Sequence, residues 1–390
     1  MAKAKKRVPA RSKRSKANAK PARGRVPRRT PILPTPDFSY DTQHPPFIAG
    51  VRPSRKGSYR LEAETAGTKV VVHNYGHGGC GISLSWGCAA KVRDIVKAHL
   101  VSSQDTRVAV LGAGVMGLTA ATLLLRDLGL TVTIYADRCP SETTSSKAGG
   151  QWSASGIDFD DTTAGRQQFK DILTTAYKTF KDSIGKGFGV SERPNYTASR
   201  AENFEVVLKY APGLIKEPDV LDRLPFEGPP TSGYRYQTLL VEPPIFIPRL
   251  EHDLRTRQVQ FVRQSFTSSD AILSTISENI IVNCTGLGSM TLWNDTNMHP
   301  IKGQLVLLSP QRQLQYLYGQ HGYLFPRTDS VVVGGTYEEG VNNETPCKSQ
   351  CEHIIAVMKG NFGKGPVVPL EPFHIHHENN KARTPNVGDA

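Results

Sequence analysis

The string Gly112-Ala113-Gly114-Val115-Met116-Gly117 follows a β-branched run, Val108–Leu111, and opens an apolar stretch, Leu118–Leu128. A GxGxxG string in that setting reads as strand, turn and helix. Gly112 permits a tight turn, Gly114 lets backbone approach a pyrophosphate, and Gly117 allows close helix–strand packing. The helix N-terminus that follows offers free N–H groups to phosphates. A second strand, Thr131–Tyr135, ends at Asp137, which lies 20 residues after Gly117 and is placed to accept bonds from ribose hydroxyls. Two strands flanking a helix form a βαβ unit, parallel and right-handed in its crossover. The chain is therefore constrained to a Rossmann-like α/β unit that binds a dinucleotide. The motif alone does not separate FAD from NAD.

This unit sits in mid-chain. A length of 390 residues predicts two domains, or one large fold with an intimate second half. No apolar run approaches the ~20 residues of a membrane-spanning helix. The net charge of +13 suggests nucleic acid until it is located. Residues 1–33 hold 13 Lys and Arg and no acid, which leaves 35 basic against 35 acidic residues in the body. Such a tail is expected to be disordered, either as a solubilising extension or as a weak, salt-dependent contact for nucleic acid and other anionic surfaces. Arg28-Arg29 is followed by prolines rather than an apolar stretch, so an export signal is rejected. The many Lys and Pro also fit a mitochondrial leader poorly, and no peroxisomal C-terminal signal is seen. Six cysteines without a CxxC pair read as reduced thiols, so an intracellular, cytoplasmic protein is expected.

Other elements are readable from patterning. Pro34–Pro46 looks like a linker, Val51–Arg60 is extended, Lys69–His73 is a strand, and Gly76–Gly81 is a turn. Trp86–Leu100 has a helical apolar face, and Ser102–Asp105 is a polar connection. Gln168–Ile184 and Lys348–Met358 read as helices, and Ile280–Asn283, Gln304–Leu308 and Ser330–Gly334 as strands.

Past Asp137 the residues become distinctive. Tyr135-Ala136-Asp137-Arg138, Thr143-Thr144-Ser145 and Ala148-Gly149-Gly150-Gln151-Trp152 closely resemble the FAD-contacting run of the D-amino-acid oxidase family. So do Val282-Asn283-Cys284-Thr285-Gly286, Lys302-Gly303-Gln304 and Tyr323-Leu324-Phe325-Pro326. The strongest match is His73-Asn74-Tyr75-Gly76-His77-Gly78-Gly79-Cys80-Gly81, continuing through Trp86-Gly87-Cys88-Ala89. In that family this string and an Arg-Pro element, here Arg52-Pro53, lie near the C-terminus. The resemblance covers residues 47–360 in altered order and looks like a circular permutation joined at Ser102–Asp105. Chain ends that lie close can be linked and reopened at an exposed loop.

The resemblance implies a mixed α/β (α+β) fold, a Rossmann-like FAD-binding domain interleaved with an antiparallel-sheet substrate domain. It divides the chain into tail and linker (1–46), displaced terminal segment (47–101), βαβ unit (106–155), remaining FAD and substrate domain (156–360) and an irregular end (361–390). FAD would contact Gly112, Gly114, Val115, Met116 and Gly117, and then Asp137, Arg138, Thr143, Thr144 and Ser145. Further contacts would come from Gly149, Gly150, Thr285 and Gly286, and from the backbone of Gly78, Cys80, Gly81, Ile82 and Ser83. Arg52 would clamp the substrate carboxylate, Tyr323 would add a hydroxyl, and the Gly79 carbonyl would accept from the amine. The family chemistry moves hydride from Cα to flavin N5, and yields a 2-oxo acid, ammonia and hydrogen peroxide from oxygen, with no acid–base residue required. A homodimer is compatible with it.

The sequence also departs from the family. The loop Gly319–Gly322 offers no clear lid tyrosine, Cys80 stands where a tyrosine is usual, and Gln151 and Ser153 replace a usual leucine and glutamine. Tyr316, Leu317 and Tyr318 are expected near the pocket and favour a neutral substrate side chain. Oxidation of glycine, N-methyl or imino acids with another acceptor remains an alternative, as does a non-enzymatic flavin-fold binding protein. His73 and His77 are expected to be structural, no metal is expected, and the cluster His374, His376, His377 and Glu378 reads as a solvated segment.

Overall fold

The computed structural model describes residues 32–100, 106–228 and 232–368. The basic tail up to residue 31, the join at 102–105 and the histidine cluster at 374–377 lie outside them.

One sheet contains β2 (Arg60–Ala66), β3 (Lys69–Tyr75), β4 (Arg107–Leu111), β5 (Thr131–Ala136), β9 (Gln260–Arg263) and β10 (Ile280–Asn283), in the order β2-β3-β10-β4-β5-β9. All neighbours are parallel except β2 with β3. The strands show why: Ile280–Asn283 is buried at every position, the continuous burial of a strand covered on both faces. Helices α1 (Gly81–Leu100), α2 (Val115–Leu128), α3 (Thr163–Asp182) and α5 (Pro243–Thr256) share one core, in which Leu84, Leu118, Phe169 and Phe246 are fully buried. Helix α6 (Ser269–Thr275) puts Ile272 against Val71, Ala109 and Ile281, in a second core that includes Trp293 beyond α7 (Ser289–Leu292). Local signals set the helix ends. Thr162 caps α3 by accepting the N–H of Gly165, and Gly129 ends α2 in the left-handed region, its N–H returning to Leu124 and Leu125.

The second sheet runs β1 (Phe47–Arg55), β11 (Met298–Leu308), β14 (Val331–Gly334), β13 (Tyr323–Pro326), β12 (Leu317–Tyr318), β6 (Val190–Thr197), β8 (Gly233–Val241), β7 (Asp219–Leu221), with β15 (Glu338–Glu339) also on β11. It is antiparallel except for β12 beside β6. Helix α8 (Lys348–Asn361) buries Ile354, Ile355 and Met358 against Val306, Leu324 and Val333. Helix α4 (Glu202–Tyr210) packs Phe204 into the first core, stacked on Tyr236.

Residues 47–100 are integral to both sheets. β1 pairs with β11 from Phe47↔Val306 to Arg55↔Met298, and β3 with β10 from Val70↔Ile280 to His73↔Asn283.

The structure departs from the sequence reading in three places. Helix α1 begins at Gly81, five residues before Trp86, because its first turn is held by tertiary contacts rather than by apolar periodicity. The supposed linker is packed against the second sheet: Leu33 N–H donates to Pro225 O (2.7 Å), Tyr316 hydroxyl to Pro34 O (2.6 Å) and Gln311 Nε2 to Asp37 O (2.7 Å). Tyr316 and Tyr318 are core residues around Phe226, and Leu317 packs with Leu240 and Phe325; burial explains this aromatic run, and none of the three reaches the cavity described next.

Candidate active site

A cavity of about 520 Å³ lies between the two sheets. Helices α1 and α2 both begin at it, through Gly81, Ile82 and Ser83 and through Val115 and Met116. Helix N-termini carry unsatisfied N–H groups and a positive dipole end, which suit phosphates and an electron-rich ring.

The turn before α2 has its expected geometry. Gly112 has φ +99°, and its N–H donates to Tyr135 O (2.8 Å). A side-chain carbon on Gly117 would collide with the carbonyl oxygen of Gly112, so helix and strand meet only because that position is bare. Ser145 Oγ accepts the N–H of Val115 at 3.0 Å, and Thr144 Oγ1 donates to Val51 O at 3.1 Å, which ties the βαβ unit to β1. Helix α1 is tied to the same unit: Trp152 Nε1 donates to Ser83 O (3.0 Å), and Ser153 N–H donates to Ser83 Oγ (3.2 Å).

Arg52, Gly79 and Tyr323 come together at one end of the cavity. A side-chain carbon on Gly79 would lie 3.7 Å from Arg52 Cδ, and one on Gly335 would lie 3.1 Å from the Tyr323 hydroxyl. The Arg52 guanidinium fills the space left by Gly303, where any side chain would overlap it, and Nη1 donates to Thr336 O at 3.2 Å. It pairs with no carboxylate among the described residues, so its planar fork is open to an anion. Burial pushes the Tyr323 hydroxyl pKa up, with Arg52 pulling against it, so the group stays protonated and able to donate. Its ring stacks on Phe325 at 4.4 Å.

Most other residues expected at the site also line the cavity: Gly78, Gly81, Ile82, Ser83, Val115, Met116, Thr144, Ser145, Gly149, Gly150 and Gly286. Others do not. Cys80 turns away, its Sγ donating to Ser153 O (3.2 Å), and burial raises its pKa to about 12. Thr143 bonds its own turn at Pro140 O (2.8 Å), and Thr285 bonds Asn283 Oδ1 (2.8 Å) and Ser289 Oγ (2.9 Å). Gly112, Gly114 and Gly117 shape the turn outside the cavity wall, while Asp137 and Arg138 are exposed just past β5, with Arg138 paired to Glu344 at 3.3 Å.

His73 is buried outside the cavity lining, whereas His77 lines the cavity with its Nδ1 unpartnered. His73 bonds Asn283 (3.1 Å) and lies 3.1 Å from Glu64; His77 stacks on Tyr59 at 5.1 Å and sits 3.3 Å from Cys88 Sγ, and burial lowers its pKa to about 3. The described residues contain no group of three or more His, Cys, Asp or Glu placed to hold a metal. No described helix is long and apolar enough to cross a membrane.

Among the lining residues that the sequence reading did not assign to the site, four carry polar groups of note. Asn74 is fully buried and its Oδ1 has no protein partner, an open acceptor on the cavity wall. Lys147 brings a cation, paired with Glu344 at 2.7 Å. Asn195 and Asn203 bracket Gln151. The unpartnered acceptor, the two helix N-termini and the bare turn together fit a large nucleotide cofactor with polar ring edges.

The sequence matches the family described as DAO, FAD dependent oxidoreductase, over residues 107–374, more than half of the chain. It is 24% identical over 261 residues to the D-aspartate oxidase of Homo sapiens, covering 64% of this chain and 74% of that one. It is 26% identical over 287 residues to the D-amino-acid oxidase of Dictyostelium discoideum, covering 65% and 73%. Among solved structures it is similar to glycine oxidase from Bacillus cereus ATCC 14579, at 17% identity and TM-score 0.49, covering 65% of this chain and 77% of that one. The family match begins at Arg107, the first residue of β4, and so leaves out the segment that carries Arg52 and Gly79.

Proposed function

This chain belongs to the DAO family of FAD-dependent oxidoreductases, and from that premise we propose that it oxidises the amine-bearing carbon of D-amino acids, with oxygen as acceptor. The observation that carries this is the convergence of Arg52, Gly79 and Tyr323 on one cavity from three distant parts of the chain. Arg52 binds the substrate carboxylate through its planar guanidinium, Tyr323 donates a second hydrogen bond to it, and the Gly79 carbonyl accepts from the amine. Held at three points, the substrate presents its Cα hydrogen in one direction, so the protein's work is orientation. FAD, when bound, supplies the two-electron acceptor and passes the electrons to oxygen, which leaves peroxide and an imine that hydrolyses to a 2-oxo acid and ammonia. Residues that would hold FAD are the Gly112–Gly117 turn, Thr144, Ser145, Gly149, Gly150, the backbone of Gly78–Ser83 and Lys147, with Asp137 and Arg138 at the adenosine end.

We also read the chain order as a circular permutation of the family order, with residues 47–100 as a displaced terminal segment. Two observations support it: the family match starts only at β4, and the ring of Phe38 lies 6.4 Å from that of Phe362, so the two ends of the described fold meet. The test is a peroxide assay of the FAD-loaded protein across D-amino acids, glycine and N-methyl amino acids. Peroxide from D-amino acids supports the reading; peroxide only from glycine or N-methyl substrates contradicts it.

A further inference from the structure

We infer that the cavity selects an amino acid whose side chain ends in a carboxamide, and that Gln151, Asn195 and Asn203 read it. This rests on the amine-oxidation reading above and names the substrate class of that site.

Three amides from three elements form a relay on the cavity wall. Asn203 Nδ2, on α4, donates to Gln151 Oε1 at 3.1 Å, and Gln151 Nε2 donates to Asn195 Oδ1, on β6, at 3.0 Å. Ser153 Oγ donates to Gln151 Oε1 at 3.5 Å. The relay leaves its two ends open: Asn195 Nδ2 and Asn203 Oδ1 have no protein partner among the described residues, and both residues line the cavity. Turning all three amides over exchanges the ends but still leaves one N–H donor and one carbonyl acceptor. A carboxamide can answer either end, accepting from Asn195 Nδ2 or donating to Asn203 Oδ1. A carboxylate can use only the donor, and an aliphatic side chain neither.

Charge points the same way. Among the described residues that line the cavity, the cations Arg52 and Lys147 belong to the carboxylate and cofactor regions, so none of them is set aside for an anionic side chain at this wall. The reach is suitable. A side-chain carbon on Gly149 would lie 3.2 Å from the Tyr323 ring, and Gln151 is two residues further, about 7 Å of extended chain at most. An amino acid held at Arg52 and Tyr323 spans that distance with one or two methylenes and a terminal amide. The neutral preference expected from Tyr316 to Tyr318 is thus reassigned to polar groups on other elements.

The test uses the FAD-loaded protein and kcat/KM for D-glutamine and D-asparagine against D-glutamate, D-aspartate, D-methionine and D-norleucine. The amides should exceed both the acids and the apolar analogues by about tenfold or more, since an apolar analogue leaves the relay ends unpaired. Asn195→Ala and Asn203→Ala should each lower the value for the amides by about tenfold while leaving D-methionine within about twofold. Equal or better use of D-methionine or D-glutamate by the unaltered protein would overturn the inference without touching amine oxidation, and so would variants that slow all substrates alike. Failure of every amino acid to reduce the flavin would instead remove the reading on which it rests.

Discussion

Phe38 and Phe362 lie 6.4 Å apart, ring centre to ring centre, one before the first long strand and the other just after the last helix. The ends of the described fold therefore touch, the geometry in which a chain can be rejoined and reopened elsewhere with little cost.

A rearranged chain should accordingly fold. Residues 106–366 followed by 37–100 place β1, β3 and α1 after α8 without altering a strand pair. That protein should retain FAD, with a melting temperature within about 3 °C of the parent, the shift of roughly 1 kcal/mol in a large domain. Insoluble or FAD-free product would contradict the permuted reading.

Arg52→Ala should raise KM by about 100-fold or more while FAD stays bound, because a bidentate charge-assisted pair is lost and no cofactor contact is touched. Arg52→Lys should recover only part, since an ammonium cannot present a planar fork. Steady-state kinetics with FAD absorbance as control checks both.

Tyr323→Phe keeps the ring on Phe325 and removes only the hydroxyl beside Arg52. KM should rise about tenfold or more, with thermal stability unchanged, as for one hydrogen bond to a charged group. An unaltered KM would assign Tyr323 to packing alone.

Asp295 sets a pH-dependent contribution. Burial raises its pKa, but Arg55 Nε and the Tyr75 hydroxyl, each at 2.8 Å, outweigh burial and hold it below the ordinary 3.8. A depressed carboxylate stabilises fully above its unfolded value and loses that contribution as pH falls through the native one. Asp295→Asn should thus destabilise the fold at pH near 7, with no change in the gap down to about pH 5; the gap should close only in the acid range, below 3.8. Denaturant melts across pH measure it.

The βαβ unit was legible because its cues are local: a strand, a bare turn and a helix in 30-odd residues. Arg52, Gly79 and Tyr323 were reachable only through family-like strings, since no periodicity links β1, the turn before α1 and β13. The Gln151 relay carried no signal, because its three amides sit on separate elements and meet only in the tertiary fold. Tyr316–Tyr318 misled for the opposite reason: an aromatic run suits a pocket or a core equally, and Phe226 and α8 make it core. The Pro34–Pro46 segment reads as linker by composition, yet side chains of Gln311 and Tyr316 bind its backbone.

The most direct measurement is anaerobic mixing of the FAD-loaded protein with D-amino acids, followed by the visible flavin absorbance. The absorbance should bleach with D-glutamine or another D-amino acid and return on admitting air, with release of one peroxide per flavin, and Arg52→Ala should need far more substrate to bleach. Colourless protein that cannot be loaded with FAD, or flavin that no D-amino acid bleaches, would contradict the account.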